Sequence, residues 1–89
     1  MMRSINVRIT GLVQGVGYRY WALGAAAKHG VCGWVRNEPD SSVLAHIEGD
    51  AEAVSAMVSS LWKGPRWAGV ENIAVKDAPF EGFQNFTVR

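Results

Sequence analysis

From Ser4 to Thr10 the chain alternates, with Ile5, Val7 and Ile9 on one side and Asn6, Arg8 and Thr10 on the other. Such a period of two predicts a strand with one buried face. A glycine-rich stretch follows, Gly11-Leu-Val-Gln-Gly-Val-Gly-Tyr-Arg19, after which the period changes. Tyr20, Leu23, Ala26 and Ala27 recur at helical spacing and predict a helix over Arg19 to His29, with Gly30 placed to end it. Gly24 inside that helix costs about 1 kcal/mol relative to alanine, which suggests a close helix–sheet approach there. Val31 to Asn37 reads as a second strand and Glu38-Pro39-Asp40-Ser41-Ser42 as a turn. Val43, Ala45 and Ile47 then alternate with Leu44, His46 and Glu48, closing a hairpin. Gly49-Asp50 breaks this third strand, and Asp50 is placed to cap a second helix. That helix carries one apolar stripe, Val54, Met57, Val58 and Leu61, and stops before Gly64-Pro65. A fourth strand is predicted within Gly69 to Lys76, and a short last one in Phe83 to Val88.

The order is strand, helix, strand, strand, helix, strand, with a short terminal strand. Each helix must bury its stripe, and the apolar face of the sheet is the only surface large enough to receive it. The economical solution is an α+β, ferredoxin-like split βαβ (βαββαβ) sandwich. It places two helices on one face of a mainly antiparallel four- to five-stranded sheet. No internal repeat, linker or low-complexity segment interrupts residues 1–89, which read as a single domain. A fold of this kind assigns no function by itself.

Composition narrows the possibilities by exclusion. A formal net charge of +1 provides no basic field for nucleic acid. The lone cysteine, Cys32, allows no internal disulfide and no metal cluster, which suits a reducing compartment. Met-Met-Arg-Ser-Ile-Asn lacks the apolar core of a signal peptide, and no apolar run reaches the length of about 18 residues that a membrane span needs. The expected setting is cytoplasmic, with no membrane or nucleic-acid partner, and the chain is expected to be a monomer.

The glycine stretch carries the candidate chemistry. Gly11, Gly15 and Gly17 allow the backbone to turn its N–H groups inward as a concave anion nest. The helix that follows adds free N–H donors and the positive end of its dipole. Arg19 falls at its first turn, where a cation is unfavourable unless an anion joins it, and its fork can grip two phosphate oxygens. Taken alone, the glycines could equally shape a tight connection, Arg19 could be a solvated surface residue, and Asn37 could simply end a strand. Cys32 reads as a small packing residue. His29 suits a helix end, and His46 lies on the less apolar face of its strand, so neither reads as a catalytic base. Trp21, Trp34, Trp62 and Trp67 read as core or half-buried residues, with Trp34 notable for lying three positions before Asn37. Arg8 and Arg36 read as exposed.

Two stretches together resemble the signature of the acylphosphatase family. Gly11-Leu-Val-Gln-Gly-Val-Gly-Tyr-Arg19 is similar to its first motif, and Gly33-Trp-Val-Arg-Asn37, followed by a turn and Val43, to its second. The similarity spans nearly the whole chain, including Lys63-Gly-Pro65 and the closing Phe86-Thr-Val-Arg89. One position departs: Ser41 stands where the family commonly has glycine. The resemblance implies cofactor-independent hydrolysis of the carboxyl–phosphate bond of small acyl phosphates, with inorganic phosphate or sulfate as competing anions. By matching positions it implies that Arg19 binds the phosphate and Asn37 positions the attacking water. The amides of Gln14, Gly15, Val16, Gly17, Tyr18 and Arg19 would form the phosphate cradle.

The chemistry is consistent with what the chain contains. A carboxylic acid with a pKa near about 4 leaves as an anion at neutral pH, so no general acid is required. A loose phosphoryl-transfer transition state asks for positioning and for charge stabilisation on the equatorial oxygens. An RNA-binding module of this fold would instead want a Lys/Arg-Gly-aromatic-Gly-aromatic run on the open sheet, which Gly33-Trp-Val-Arg does not supply. The remaining alternative is a non-catalytic anion-binding or regulatory ferredoxin-like module. The presence of both Arg19 and Asn37 favours the enzyme over it.

Overall fold

In the computed structural model, which describes all of residues 1–89, the predicted elements appear in the predicted order. They are β1 (Met2–Leu12), α1 (Tyr18–His29), β2 (Cys32–Asn37), β3 (Val43–Asp50), α2 (Ala51–Lys63), β4 (Gly69–Asp77) and β5 (Phe86–Val88). They form one sheet of order β4-β1-β3-β2-β5. All neighbours are antiparallel except β2 and β5, which run parallel.

Alternation in the strands decides which residues meet the helices. Ile5, Val7 and Ile9 of β1, Val35 of β2, Val43, Ala45 and Ile47 of β3 and Ile73 of β4 are buried in one core. Against them α2 sets Val54, Met57 and Leu61, as its apolar stripe predicts, with Val58 at the edge. Truncating any of these large side chains to alanine is expected to cost about 2–5 kcal/mol, because a close-packed interior relaxes only partly around the hole.

Helix α1 departs from its predicted face. It begins one residue early, at Tyr18, and buries Tyr18, Ala22, Ala25 and Ala26. Tyr20 is 68% exposed, and Ala27 also faces solvent. Small residues on several sides blur the apolar period, so spacing alone could not choose between faces. The expected tight contact at Gly24 is absent as well, since a Cβ added there would meet nothing within 4 Å.

Strand β3 is longer than expected. It runs through Gly49 to Asp50, because β1 extends to Met2 and pairs Met2 with Asp50 and Arg3 with Gly49. Asp50 still caps α2, accepting from the N–H of Glu52 at 3.3 Å. At the other end of β1 the register shifts between Thr10 and Gly11. Gly11 has φ of +119°, and any side chain there would collide with the Gly69 carbonyl. This bulge turns the chain out of the sheet and into the glycine loop.

The far face of the sheet is polar, and the part around His46 and Glu48 is covered. His46 and Glu48 are almost fully buried there, with Nε2 of His46 at 2.7 Å from the Glu48 carboxylate. Glu48 also accepts from the N–H groups of Glu81, Gly82 and Phe83, which fastens the segment before β5 across that face. Burial works against its charged form. The bond from His46 and the N–H groups of Glu81 and Phe83 outweigh that, and hold the Glu48 carboxyl below the usual carboxylate range.

Candidate active site

The loop from Val13 to Gly17 is short, and its apolar side chains hold it down. Val13 is buried, and Val16 packs against the core from above. Tyr18, also buried, donates its hydroxyl to the main-chain oxygen of Leu61 at 2.6 Å, pinning the start of α1 to the end of α2. Burial pushes the Tyr18 pKa far up, so that hydroxyl stays a donor. Gly17 caps α1 in the left-handed conformation at φ of +77°, a cost for residues with a Cβ.

The main-chain N–H groups from Gln14 to Tyr20 have no acceptor within the protein. For the first turn of a helix this is the rule, but the loop amides extend the run. The contrast with α2 is informative. There Asp50 and Glu52 bring negative charge to the first turn, whereas α1 has no acidic residue there and no side-chain cap. The N-terminus of α1 is therefore electrostatically incomplete, with Arg19 adding a further positive charge.

A cavity of about 210 Å³ lies beside this segment, lined by Val13, Gln14, Gly15, Gly17, Tyr18, Arg19, Tyr20 and Asn37. Arg19 and Asn37, the two residues singled out for chemistry, thus share one cavity although they come from different elements. Of the six residues expected in the cradle, only Val16 does not line it; its side chain belongs to the core. Asn37, the exposed last residue of β2, pairs with Val43 at the turn end of the hairpin.

Two supports fix these residues in place. Gln14 sends its side-chain nitrogen into the hairpin turn, where it reaches the main-chain oxygens of Glu38 at 2.9 Å and Ser42 at 2.8 Å. Arg19 donates from Nη1 to the main-chain oxygen of Arg89 at 2.9 Å. Arg89 is itself held by its N–H on the Val35 carbonyl at 2.8 Å. One nitrogen of the guanidinium is thereby oriented by protein, while Arg19 still faces the cavity.

The hairpin turn has its own bracing. Asp40 accepts from the N–H and hydroxyl of Ser42, and Arg8 reaches Asp40 at 3.2 Å and the Ser42 hydroxyl at 2.7 Å. The Ser42 bonds, with Arg8 nearby, hold the Asp40 carboxyl below its usual range. Arg8, expected only as a solvated residue, is thus a brace. Ser41 takes φ of +75°, the left-handed conformation that a glycine would adopt more easily.

Other residues resolve as bystanders. His29 bonds the Ser60 hydroxyl at 2.8 Å, Cys32 opens β2 half-buried, and His46 belongs to the network on the opposite face. Trp34 lies on that same face, flanked by the guanidinium groups of Arg36 and Arg89, each 4.8 Å from its ring. Tyr20 lines the cavity and the main-chain oxygen of Arg89 holds Arg19, roles the sequence did not single out. Tyr20 had been read as core, and Arg89 reaches Arg19 only through the pairing of β5 with β2. The lining of the cavity includes no carboxylate, thiol or imidazole.

The chain matches the family model described as Acylphosphatase over residues 5–88. An acylphosphatase of Nocardioides sp. is 49% identical over 89 residues, covering 100% of this chain and 90% of that protein. The crystal structure of acylphosphatase from Bacillus subtilis superposes with a TM-score of 0.95 at 31% identity, covering 100% and 99% of the two chains. An acylphosphatase structure from Coxiella burnetii gives the same TM-score of 0.95 at 30% identity, covering 99% and 93%.

Proposed function

The chain belongs to the acylphosphatase family, enzymes that hydrolyse the carboxyl–phosphate bond of acyl phosphates, and from that premise we propose how its own residues do so. The amides from Gln14 to Arg19 cradle the phosphate, the Arg19 guanidinium closes on its oxygens, and the Asn37 carboxamide orients a water. That water attacks phosphorus opposite the carboxylate. Its oxygen forms the new P–O bond as the bond to the carboxylate oxygen breaks; the carboxylate leaves with the electron pair, and the proton lost by water ends on the phosphate or in solvent.

Each part supplies what this reaction lacks in water. The amides and Arg19 stabilise charge on the equatorial oxygens without reorganising, because the loop is already held by Val13, Val16 and Tyr18. Asn37 supplies alignment, where a rigid hairpin matters more than basicity. The carboxylate is a good leaving group, so the lack of an acid in the lining is no obstacle. Every residue of the site comes from one chain, so a monomer suffices. Hydrolysis proceeds without a metal, in a cytoplasmic setting that suits the unpaired Cys32.

The observation that carries this reading is the run of acceptorless amides in a segment lining a cavity that Arg19 and Asn37 share. Its test is a comparison of acetyl phosphate with a phosphate monoester such as p-nitrophenyl phosphate. Rapid release of phosphate from the first and little from the second is expected. Equal turnover of both would mean that leaving-group activation comes from a group outside this scheme.

A further inference from the structure

We propose that the uncovered part of the far sheet face holds a site for a short organic dicarboxylate, and that its occupation slackens the hairpin that carries Asn37. A cavity of about 300 Å³ lies there across β4, β1 and β3, lined by Asn6, Val7, Arg8, Leu44, Ala74 and Lys76. Its lining contains two cations and no carboxylate. Lys76 takes part in no ion pair. Asn6 meets Nδ1 of His46 through its side-chain oxygen at 2.7 Å, which leaves its NH2 group as a further donor. Donors of this kind, with nothing negative among the walls, select an anion.

The ground around the cations chooses the anion. In the register of β1 and β4, Arg8 stands opposite Ala74 and Asn6 opposite Lys76. Arg8 and Lys76 are therefore diagonal neighbours, roughly 7–8 Å apart at the backbone. Apolar surface adjoins both: Ala74 lies beside Arg8 and two residues before Lys76, and Leu44 flanks Arg8 from β3. An inorganic anion leaves that floor unused. A short dicarboxylate sets one carboxylate on each cation and its methylenes on the floor, and the Arg8 fork matches a carboxylate bidentately.

Arg8 also ties this cavity to the hairpin. Its Nη1 reaches Asp40 at 3.2 Å and the Ser42 hydroxyl at 2.7 Å, while its side chain is 44% exposed. A carboxylate arriving at Arg8 competes with Asp40 for one guanidinium. The turn that Arg8 braces supplies the Glu38 and Ser42 carbonyls that hold Gln14. Drawing Arg8 away loosens that turn, and with it the alignment of Asn37. The coupling rests on the role proposed for Asn37 above, whereas the binding site does not.

Succinate titrated into isotope-labelled protein and followed by NMR tests the site. In wild type the amide signals of Arg8, Leu44 and Ala74 should shift and saturate. Lys76→Gln should weaken binding about tenfold, the usual loss of one charge-assisted bond. Ala74→Glu sets a carboxylate between the cations and should abolish it. Both positions are exposed on an edge strand, so folding is not at stake. In acetyl phosphate hydrolysis, saturating succinate should lower wild-type kcat about fivefold with KM unchanged. Lys76→Gln should keep its basal rate and need about ten times more succinate for the same effect. No saturable shift at these residues, or equal shifts from inorganic phosphate, would overturn the dicarboxylate site. Inhibition that raises KM alone and persists in Ala74→Glu would place succinate in the phosphate cradle and overturn the coupling. A wild type that hydrolyses no acetyl phosphate would bring down the proposed function, with the NMR titration still deciding the site.

Discussion

The side-chain nitrogen of Gln14 donates to the main-chain oxygen of Ser42 at 2.8 Å, so the glycine loop and the β2–β3 hairpin are clipped together beside the cavity. A second bond from the same nitrogen, to Glu38 at 2.9 Å, makes the clip two-pronged. The proposed phosphate cradle and the proposed water-orienting residue come from separate parts of the chain, and this clip ties those parts together. Misplacement by about 1 Å in such an arrangement can cost 10²-fold in rate.

Asn37→Ala should lower kcat by about 10²–10³, the usual consequence of removing one preorganised polar group. Asn37 is exposed at a strand end, so stability should stay within about 0.5 kcal/mol of wild type. Phosphate-release assays paired with thermal unfolding check both. A large fall in melting temperature would assign Asn37 to the scaffold instead.

Arg19→Lys keeps the charge and removes the planar fork. One guanidinium nitrogen is already engaged on the Arg89 carbonyl, so an ammonium cannot both hold that oxygen and grip a phosphate in the same way. A loss of about 10²-fold or more in kcat/KM is expected. Full activity of Arg19→Lys would show that charge alone is enough.

Stability should fall on acidification because of Glu48. Its folded-state pKa lies below the ordinary value of 4.5, so its contribution is complete above that pH. It is lost as pH falls through the folded value. Glu48→Gln should destabilise the protein by about 2 kcal/mol near neutrality, since bonds to a charged acceptor weaken. A difference of about 1 kcal/mol corresponds to 4–8 °C in a domain of this size. The melting curves of wild type and variant should converge as pH falls below the ordinary carboxylate range and Glu48 takes up its proton. A constant gap across the range would show that geometry rather than charge does the holding.

Chelation should leave turnover unchanged, because charge on the transferring group is assigned to Arg19 and the amides. Inorganic phosphate and sulfate should inhibit competitively, being tetrahedral anions that fit the same cradle. Loss of activity in EDTA, restored by a divalent ion, would contradict this assignment.

Most of the architecture was legible because strand alternation is a strong local signal. Ile5, Val7 and Ile9 identify their buried face without any knowledge of the partners, and the α2 stripe does likewise. The glycine loop and both motifs also pointed to residues that line one cavity. What escaped depends on contacts distant in sequence. Nothing local distinguishes a strand that stops at Gly49 from one that continues because β1 reaches back to Met2. Nothing near Arg89 signals that its carbonyl will meet Arg19, and nothing near Glu48 signals that it will anchor the segment at Glu81–Phe83.

The face of α1 was lost for a different reason. Alanines and glycines carry little hydrophobic contrast, so Tyr20 drew the apparent stripe toward itself. A large aromatic that spacing placed in the core stands at the mouth of the cavity instead. Ser41 was the one visible departure from the family pattern, and it does adopt the backbone that glycine prefers. The Asp40, Ser42 and Arg8 bonds around it show how the turn tolerates a side chain there.

Strand β1 lies between β3 and β4, with Ile5 opposite Ile47 on one side and Asp77 on the other. The loop that β1 feeds is therefore shaped by partners that emerge from synthesis much later than itself. Such long-range closure is slow compared with helix formation, because chain entropy is lost before the contacts form. An unfinished or partly unfolded chain holds the glycine motif without the neighbouring strands that hold its loop in place.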